Sequence, residues 1–207
     1  EVRVEGRLAQ VTRQQVENIA KQEIRGNFFT VDLEQTRQAF EKLPWVRTVS
    51  VRRQWPGRLE IVLEEHAALA RWGALAVVNT YGELFAAAFN EKLPLFVGPA
   101  GTSQEMARRY VAFGQALAPL KQPVAQVILS PRRAWQLRLE NGMVIELGRN
   151  QMQERLERFV ALYGRSVGRL GRRIDHVDLR YSNGFAVRLP GADLQQLDRA
   201  GPEPKAA

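Results

Sequence analysis

An α+β fold of two domains is the class this sequence predicts, on three observations. The first 65 residues read as strand, helix, helix, strand, strand. The remainder is mostly short alternating strands with two helices. A hydrophobic content of 45% over 207 residues is enough for two cores.

The opening strand is "VRVEG", ending in Gly6. Thr12 and Gln15 form a T-x-x-Q capping box before a helix with Val16, Ile19, Ala20 and Ile24 on one face. "RGNFF" breaks that helix. Asp32 and Gln35 start a second, with Leu33, Phe40 and Leu43 on one side, and Pro44 closes it. "VRTVSVRR" and "RLEIVLEEH" then alternate at period two, placing Val49 with Val51, and Leu59 with Ile61 and Leu63. Between them, Pro56 and Gly57 stand where a type II turn wants them. The β-α-α-β-β order gives a small sheet with two helices on one face, and residues 1–66 form the first domain.

Residues 67–191 are expected to form a mostly antiparallel β domain with flanking helices, and residues 192–207, ending "GPEPKAA", a flexible tail. "ALAVVN", "GELFAA", "LPLFVG" and "VAQVIL" are its first strands. Thr102 with Glu105 is a capping box for a helix striped by Met106, Tyr110, Phe113 and Leu117. Trp135, Leu137 and Leu139 alternate with polar residues up to Asn141-Gly142, which predicts a type I′ hairpin into "MVIEL". Asn150 with Gln153 opens a helix bearing Leu156, Phe159, Val160 and Tyr163, which "GRSVGRLGRR" ends. Two last strands, around 177–181 and 185–189, meet at Ser182-Asn183-Gly184.

The net charge is +8, and Arg supplies 25 of the 30 basic residues. Such an excess suits phosphate, carboxylate or anionic lipid. The arginines are scattered rather than clustered among stacking aromatics, which argues against a nucleic-acid module. Absence of Cys excludes disulfides and thiolate metal sites. Ala74–Val78 is an apolar stretch far short of the ~20 residues of a membrane span, so any anchor is expected before Glu1.

Catalytic or metal constellations are weak. His176 and Asp178 share a strand face, but Ser182 beside them lacks the strand-to-helix elbow of a nucleophile, so a surface pair is the better reading. Glu64 and His66 are two ligands on one side, too few for a metal site. "FVGPAGTS" lacks the Lys-Ser/Thr of a phosphate loop and reads as a helix lead-in. No enzyme, cofactor or metal is implied.

"LPWVRTVSVRRQWPGRLEIVLEEHAALARW", residues 43–72, resembles the POTRA module of the FtsQ/DivIB family of bacterial cell-division proteins. "RRAWQLRL", "IELGR", "RLERFVALY" and "RIDHVDLRYSNGFAV" resemble, in that order, the β domain of proteobacterial members. The resemblance covers about residues 2–189. It implies a single-pass inner-membrane scaffold with this chain in the periplasm at the division septum. The partners implied are FtsB and FtsL as a complex, with FtsK, FtsW, FtsI and FtsN as further divisome contacts. FtsB is implied to add a strand to the last β-domain strand, and an acidic residue on its helix to meet the Arg of "RRxW". Carried over, these are Arg132, Tyr181, Asn183 and Gly184, with Ser182, Phe185 and Ala186 alongside. Here the family's Arg-Tyr-Asp-Ser-Gly run reads Arg180-Tyr181-Ser182-Asn183-Gly184. Main-chain groups supply most bonds in strand addition, so the pairing tolerates that change. The alternative is another POTRA-bearing protein, such as an outer-membrane protein assembly factor.

From the residues alone, "GFAVRL" as an outer strand carries one charge, Arg188, which is poor protection for a free edge. The competing reading has that edge covered by the chain's own "GADLQQLDRA".

Overall fold

The computed structural model describes residues 2–6, 8–164, 173–181 and 184–190. Most of the "GRSVGRLGRR" breaker, Ser182, Asn183, the "GADLQQLDRA" segment and the 192–207 tail therefore lie outside the described residues. The chain divides into two compact units, Glu1–Leu93 and Pro94–Ala207.

The first unit contains β1 (Val2–Glu5), α1 (Arg13–Glu23), α2 (Leu33–Glu41), β2 (Val46–Gln54), β3 (Arg58–Glu65), β4 (Ala68–Trp72), β5 (Ala76–Asn79) and β6 (Leu84–Phe85). β3 is central in the order β1-β3-β2, parallel to β1 with Val2 opposite Leu59, and antiparallel to β2. The α1 capping box forms: Gln15 N–H donates to Thr12 Oγ1, and Gln15 Oε1 accepts from Thr12 N–H at 2.8 Å. Asp32 caps α2 through Gln35 N–H at 3.0 Å.

Val16, Phe40, Val46, Ile61 and Leu63 make the core, with Ile19, Ala20, Ile24, Leu43, Val49 and Val51 packed around it. Leu33 is only half-buried; Thr36 and Ala39 take inward positions, and the Thr36 hydroxyl satisfies itself on Asp32 O at 2.7 Å. Gly6 lies against β3, where an added Cβ would stand 2.4 Å from the Leu63 carbonyl oxygen. Between β2 and β3 the Trp55-Pro56 peptide is cis, and Gly57 has the positive φ, +75°, that the second central residue of a type II turn adopts. β4, β5 and β6 form an antiparallel meander.

The second unit contains β7 (Leu95–Val97), α3 (Ser103–Leu117), β8 (Val124–Leu129), β9 (Trp135–Leu139), β10 (Val144–Gly148), α4 (Met152–Tyr163), β11 (His176–Asp178) and β12 (Ala186–Arg188). Its strand order is β12-β11-β10-β9-β8-β7. Antiparallel pairs predominate, while β10–β11 and β7–β8 are parallel, so the sheet is mixed. Phe113, Leu137, Leu139, Ile145, Leu156 and Phe159 are among its buried side chains.

Three local expectations differ. Thr102 makes no capping bond to α3, since its hydroxyl donates to Pro99 O at 2.7 Å. Left-handed Gln151, not Asn150, caps α4, and Gln153 instead reaches Glu157 within the helix. At Asn141-Gly142 only Gly142 has positive φ, +89°, whereas a type I′ turn needs both. Asn141 Oδ1 instead accepts from Met143 N–H, and Gly142 N–H donates to Leu139 O, closing a wider hairpin. No helix among the described residues is long and apolar enough to cross a membrane.

Candidate docking edge

β12 is the end strand of the second unit's sheet, and all three of its residues are exposed. Its one neighbour among the described residues is β11, with Val187 opposite Val177 and Ala186 opposite Asp178. The pairing is short, three residues, so the expected 177–181 and 185–189 strands shrink to 176–178 and 186–188. Tyr181 lies beyond the end of β11, where the Asp178 carboxylate accepts from Arg180 N–H at 2.9 Å and bends the chain.

Across the sheet, Gln136, Glu146, Asp178 and Ala186 form one row. The strand directions then bring Arg132, between β8 and β9, to the same end of the sheet as Tyr181 after β11 and Gly184 before β12. β9 and β12 are three strands apart, roughly 14 Å at ~4.8 Å per strand. Arg132 is exposed, Tyr181 is 58% exposed, and Gly184 and Ala186 are exposed. Phe185 is half-buried, its ring edge-on to Phe159 of α4 at 5.2 Å. It serves to seat the edge strand more than to offer a free aromatic face. Ser182 and Asn183 lie outside the described residues.

The residues reasoning from sequence missed are the fixers of this end. Arg180 forks both oxygens of Asp178, at 2.9 and 2.6 Å, and holds that carboxyl below its ordinary pKa. The Arg180 stem also lies over Gly148, where a Cβ would meet it at 3.1 Å. Arg133, left-handed at φ 65°, donates to both Glu105 oxygens at 2.7 and 2.6 Å, while Arg132 beside it points to solvent. An Asp-x-Arg spacing on a strand and the double Arg were the available signals.

The weaker candidates resolve into structure. His176 faces Glu146, Nε2 to Oε1 3.7 Å, while Asp178 is occupied by Arg180, so they make no base-and-orienter pair. Glu64 is held by Arg47 and Thr48, both at 3.0 Å. His66 stacks flat on Phe85 at 4.1 Å and bonds Asn79. Among the described residues no three His, Cys, Asp or Glu side chains group to hold a metal. Gly98 is needed for packing, since a Cβ there would stand 2.6 Å from Met106 Sδ, and Gly101 has φ +79°.

The family described as Cell division protein FtsQ/DivIB, C-terminal, matches residues 70–180, and the POTRA domain, FtsQ-type, matches residues 1–66. A cell division protein FtsQ of Nitrosospira multiformis is 51% identical over 183 residues, 88% of this chain and 78% of its own length. That of Burkholderia pseudomallei is 42% identical, over 92% and 79%. That of Neisseria meningitidis is 34% identical, over 96% and 85%. An assembly-factor reading has no support in these matches. With a POTRA domain followed by the matching C-terminal region, the chain belongs to the FtsQ/DivIB family of cell division proteins.

Proposed function

We propose that this chain is the periplasmic part of a single-pass inner-membrane division protein. It acts without catalysis at the septum, by accepting a strand of FtsB, in complex with FtsL, along β12. One observation carries the reading: β12 ends the sheet, exposed at all three residues, with a single neighbour among the described residues. Such an edge offers main-chain donors and acceptors to an extended chain, and pockets beside it read alternate side chains. Arg132, at the same end of the sheet, supplies a cation for an acidic residue on the incoming segment's helix. Tyr181 flanks the entry. Contacts to FtsK, FtsW, FtsI and FtsN belong to the same reading, as does a domain division at 66/67.

The test is a pull-down of a periplasmic FtsB segment by this chain. Wild type retains the segment, Gly184→Pro and Tyr181→Ala lose it, and Arg132→Ala weakens it. Undiminished retention by both Gly184→Pro and Tyr181→Ala would falsify the edge assignment. Retention unchanged in Arg132→Ala removes only the ion pair.

A further inference from the structure

The first unit carries a second exposed feature that the docking edge does not use. Phe29 and Trp55 are 70% and 73% exposed, high for large aromatics, which are ordinarily mostly buried. With half-buried Phe28 they form one edge-on cluster, ring centroids 5.3 to 5.9 Å apart.

The cluster is held in place. Arg53 donates to Phe28 O at 2.9 Å, Phe29 O at 3.4 Å and Val31 O at 2.7 Å. Asn27 Oδ1 accepts from Phe29 N–H and Thr30 N–H at 2.9 and 3.1 Å. The rings therefore pay little ordering entropy on meeting a partner. Arg53 bonds only main-chain oxygens in those contacts, and Arg25, close before Phe28 in the chain, donates to Gln22 O at 3.1 Å, so both guanidinium charges sit on neutral acceptors, while the nearby Asp32 carboxylate is engaged in capping α2 through Gln35 N–H. The register adds position. Val2 stands opposite Leu59, just past the Trp55-containing turn, so β1 begins at the aromatic end of the unit.

We propose that this tip is a membrane-surface contact, with Trp55 and Phe29 entering the headgroup level of an anionic bilayer and Arg25 and Arg53 facing lipid phosphates. A Trp-Phe pair beside guanidinium groups suits that interface: the rings are amphipathic or apolar and shallow, and the cations find phosphate oxygens. A net charge of +8 favours the same surface. A chain approaching Val2 from a bilayer would bring the tip against it, but the contact does not depend on an anchor. It goes beyond strand docking at β12 and stands or falls separately from it.

The test uses the whole chain with vesicles of phosphatidylglycerol and phosphatidylethanolamine, against vesicles of phosphatidylcholine. Sedimentation is expected to show binding to the first, at least tenfold weaker binding to the second, and weakening by salt. Phe29→Ser with Trp55→Ser is expected to reduce binding at least tenfold with an unchanged thermal transition, since both side chains are exposed. Arg25→Gln is expected to reduce it severalfold. Brominated acyl chains should quench wild-type tryptophan fluorescence but not that of Trp55→Phe. Failure to sediment with anionic vesicles, equal sedimentation of the double variant, or equal quenching in Trp55→Phe each overturns the proposal. The first of these would assign the tip to a protein partner.

Discussion

Asn79 Nδ2 lies 2.9 Å from His66 Nδ1, and the bond fixes the state of both residues. Asn79 Oδ1 accepts from Tyr81 N–H and Glu83 N–H at 2.9 and 2.8 Å, so the amide cannot be flipped, and its NH2 donates to His66 Nδ1 and to Glu83 Oε2. His66 Nδ1 is therefore an acceptor and carries no proton. Asn79 is fully buried with every polar site used. Asn79→Ala strands two main-chain donors and one imidazole acceptor, and it should cost about 2–4 kcal/mol. Urea unfolding of the variant checks this.

Protonation of His66 should weaken the same cluster. Burial pushes its pKa below the ordinary ~6.5, with Arg47 acting in the same direction and Glu83 and Glu64 opposing. Between the folded value and ~6.5 the unfolded chain binds more protons, so stability falls as pH drops through that window. Above it the contribution is constant. Glu83, held below its ordinary value first by Arg47, and Glu64, first by the Thr48 hydroxyl, lose their stabilisation lower, from ~4.5 downward. His66→Gln should flatten the decline in thermal midpoint as pH falls below ~6.5 and leave the steeper fall below ~4.5. An undiminished slope would show that His66 does not set it.

Glu65 ties the end of β3 to the segment before α1. Its carboxylate accepts from Ala9 N–H at 2.8 Å and Val11 N–H at 2.6 Å, with Gln10 N–H at 3.1 Å. These are charge-assisted bonds to main-chain donors that precede the α1 cap. Ala9 and Gln10 are exposed and can turn to water, whereas Val11 is buried. Glu65→Ala should therefore cost about 1–3 kcal/mol, with Glu65→Gln near half of that. Hydrogen exchange at the Val11 amide should speed at least tenfold in Glu65→Ala.

Elements whose pattern and end signals agree were legible in the sequence. Thr12/Gln15 and Asp32/Gln35 are helix starts because side chain and backbone both profit there. The 102–105 and 150–153 matches have the same spelling but fail, because the Thr102 hydroxyl finds Pro99 O and because α4 starts one residue later from left-handed Gln151. Alternation marked Leu137 and Ile145 as core, both fully buried. It could not reveal that β11 runs parallel to β10, since direction depends on where the intervening chain returns. At the edge, a last strand with a single charge was readable from the sequence. The Asp178–Arg180 fork depends on side-chain reach that periodicity does not encode. The Phe28, Phe29 and Trp55 cluster joins segments 26 residues apart, so only the fold brings it together.

Phe185 is where stability and edge presentation meet. Its half-buried ring rests edge-on against Phe159, which is fully buried in α4, and β12 follows at once with only three paired residues. A pairing that short is weak alone, so the ring contact anchors the strand's start. Phe185→Ala should lower global stability by about 1–2 kcal/mol, since half of the side chain is already in water. Its larger effect should be local: the amides of Ala186–Arg188 exchange at least tenfold faster, while those of β9 and β10 change little. Phe185→Leu, which keeps apolar contact without the edge-on ring, should recover most of the protection. If β12 rests on this contact and is the docking edge proposed above, retention of an FtsB segment should follow amide protection across the three proteins rather than the thermal midpoint. Equal protection of β12 in wild type and Phe185→Ala would show that β11 pairing alone holds the edge.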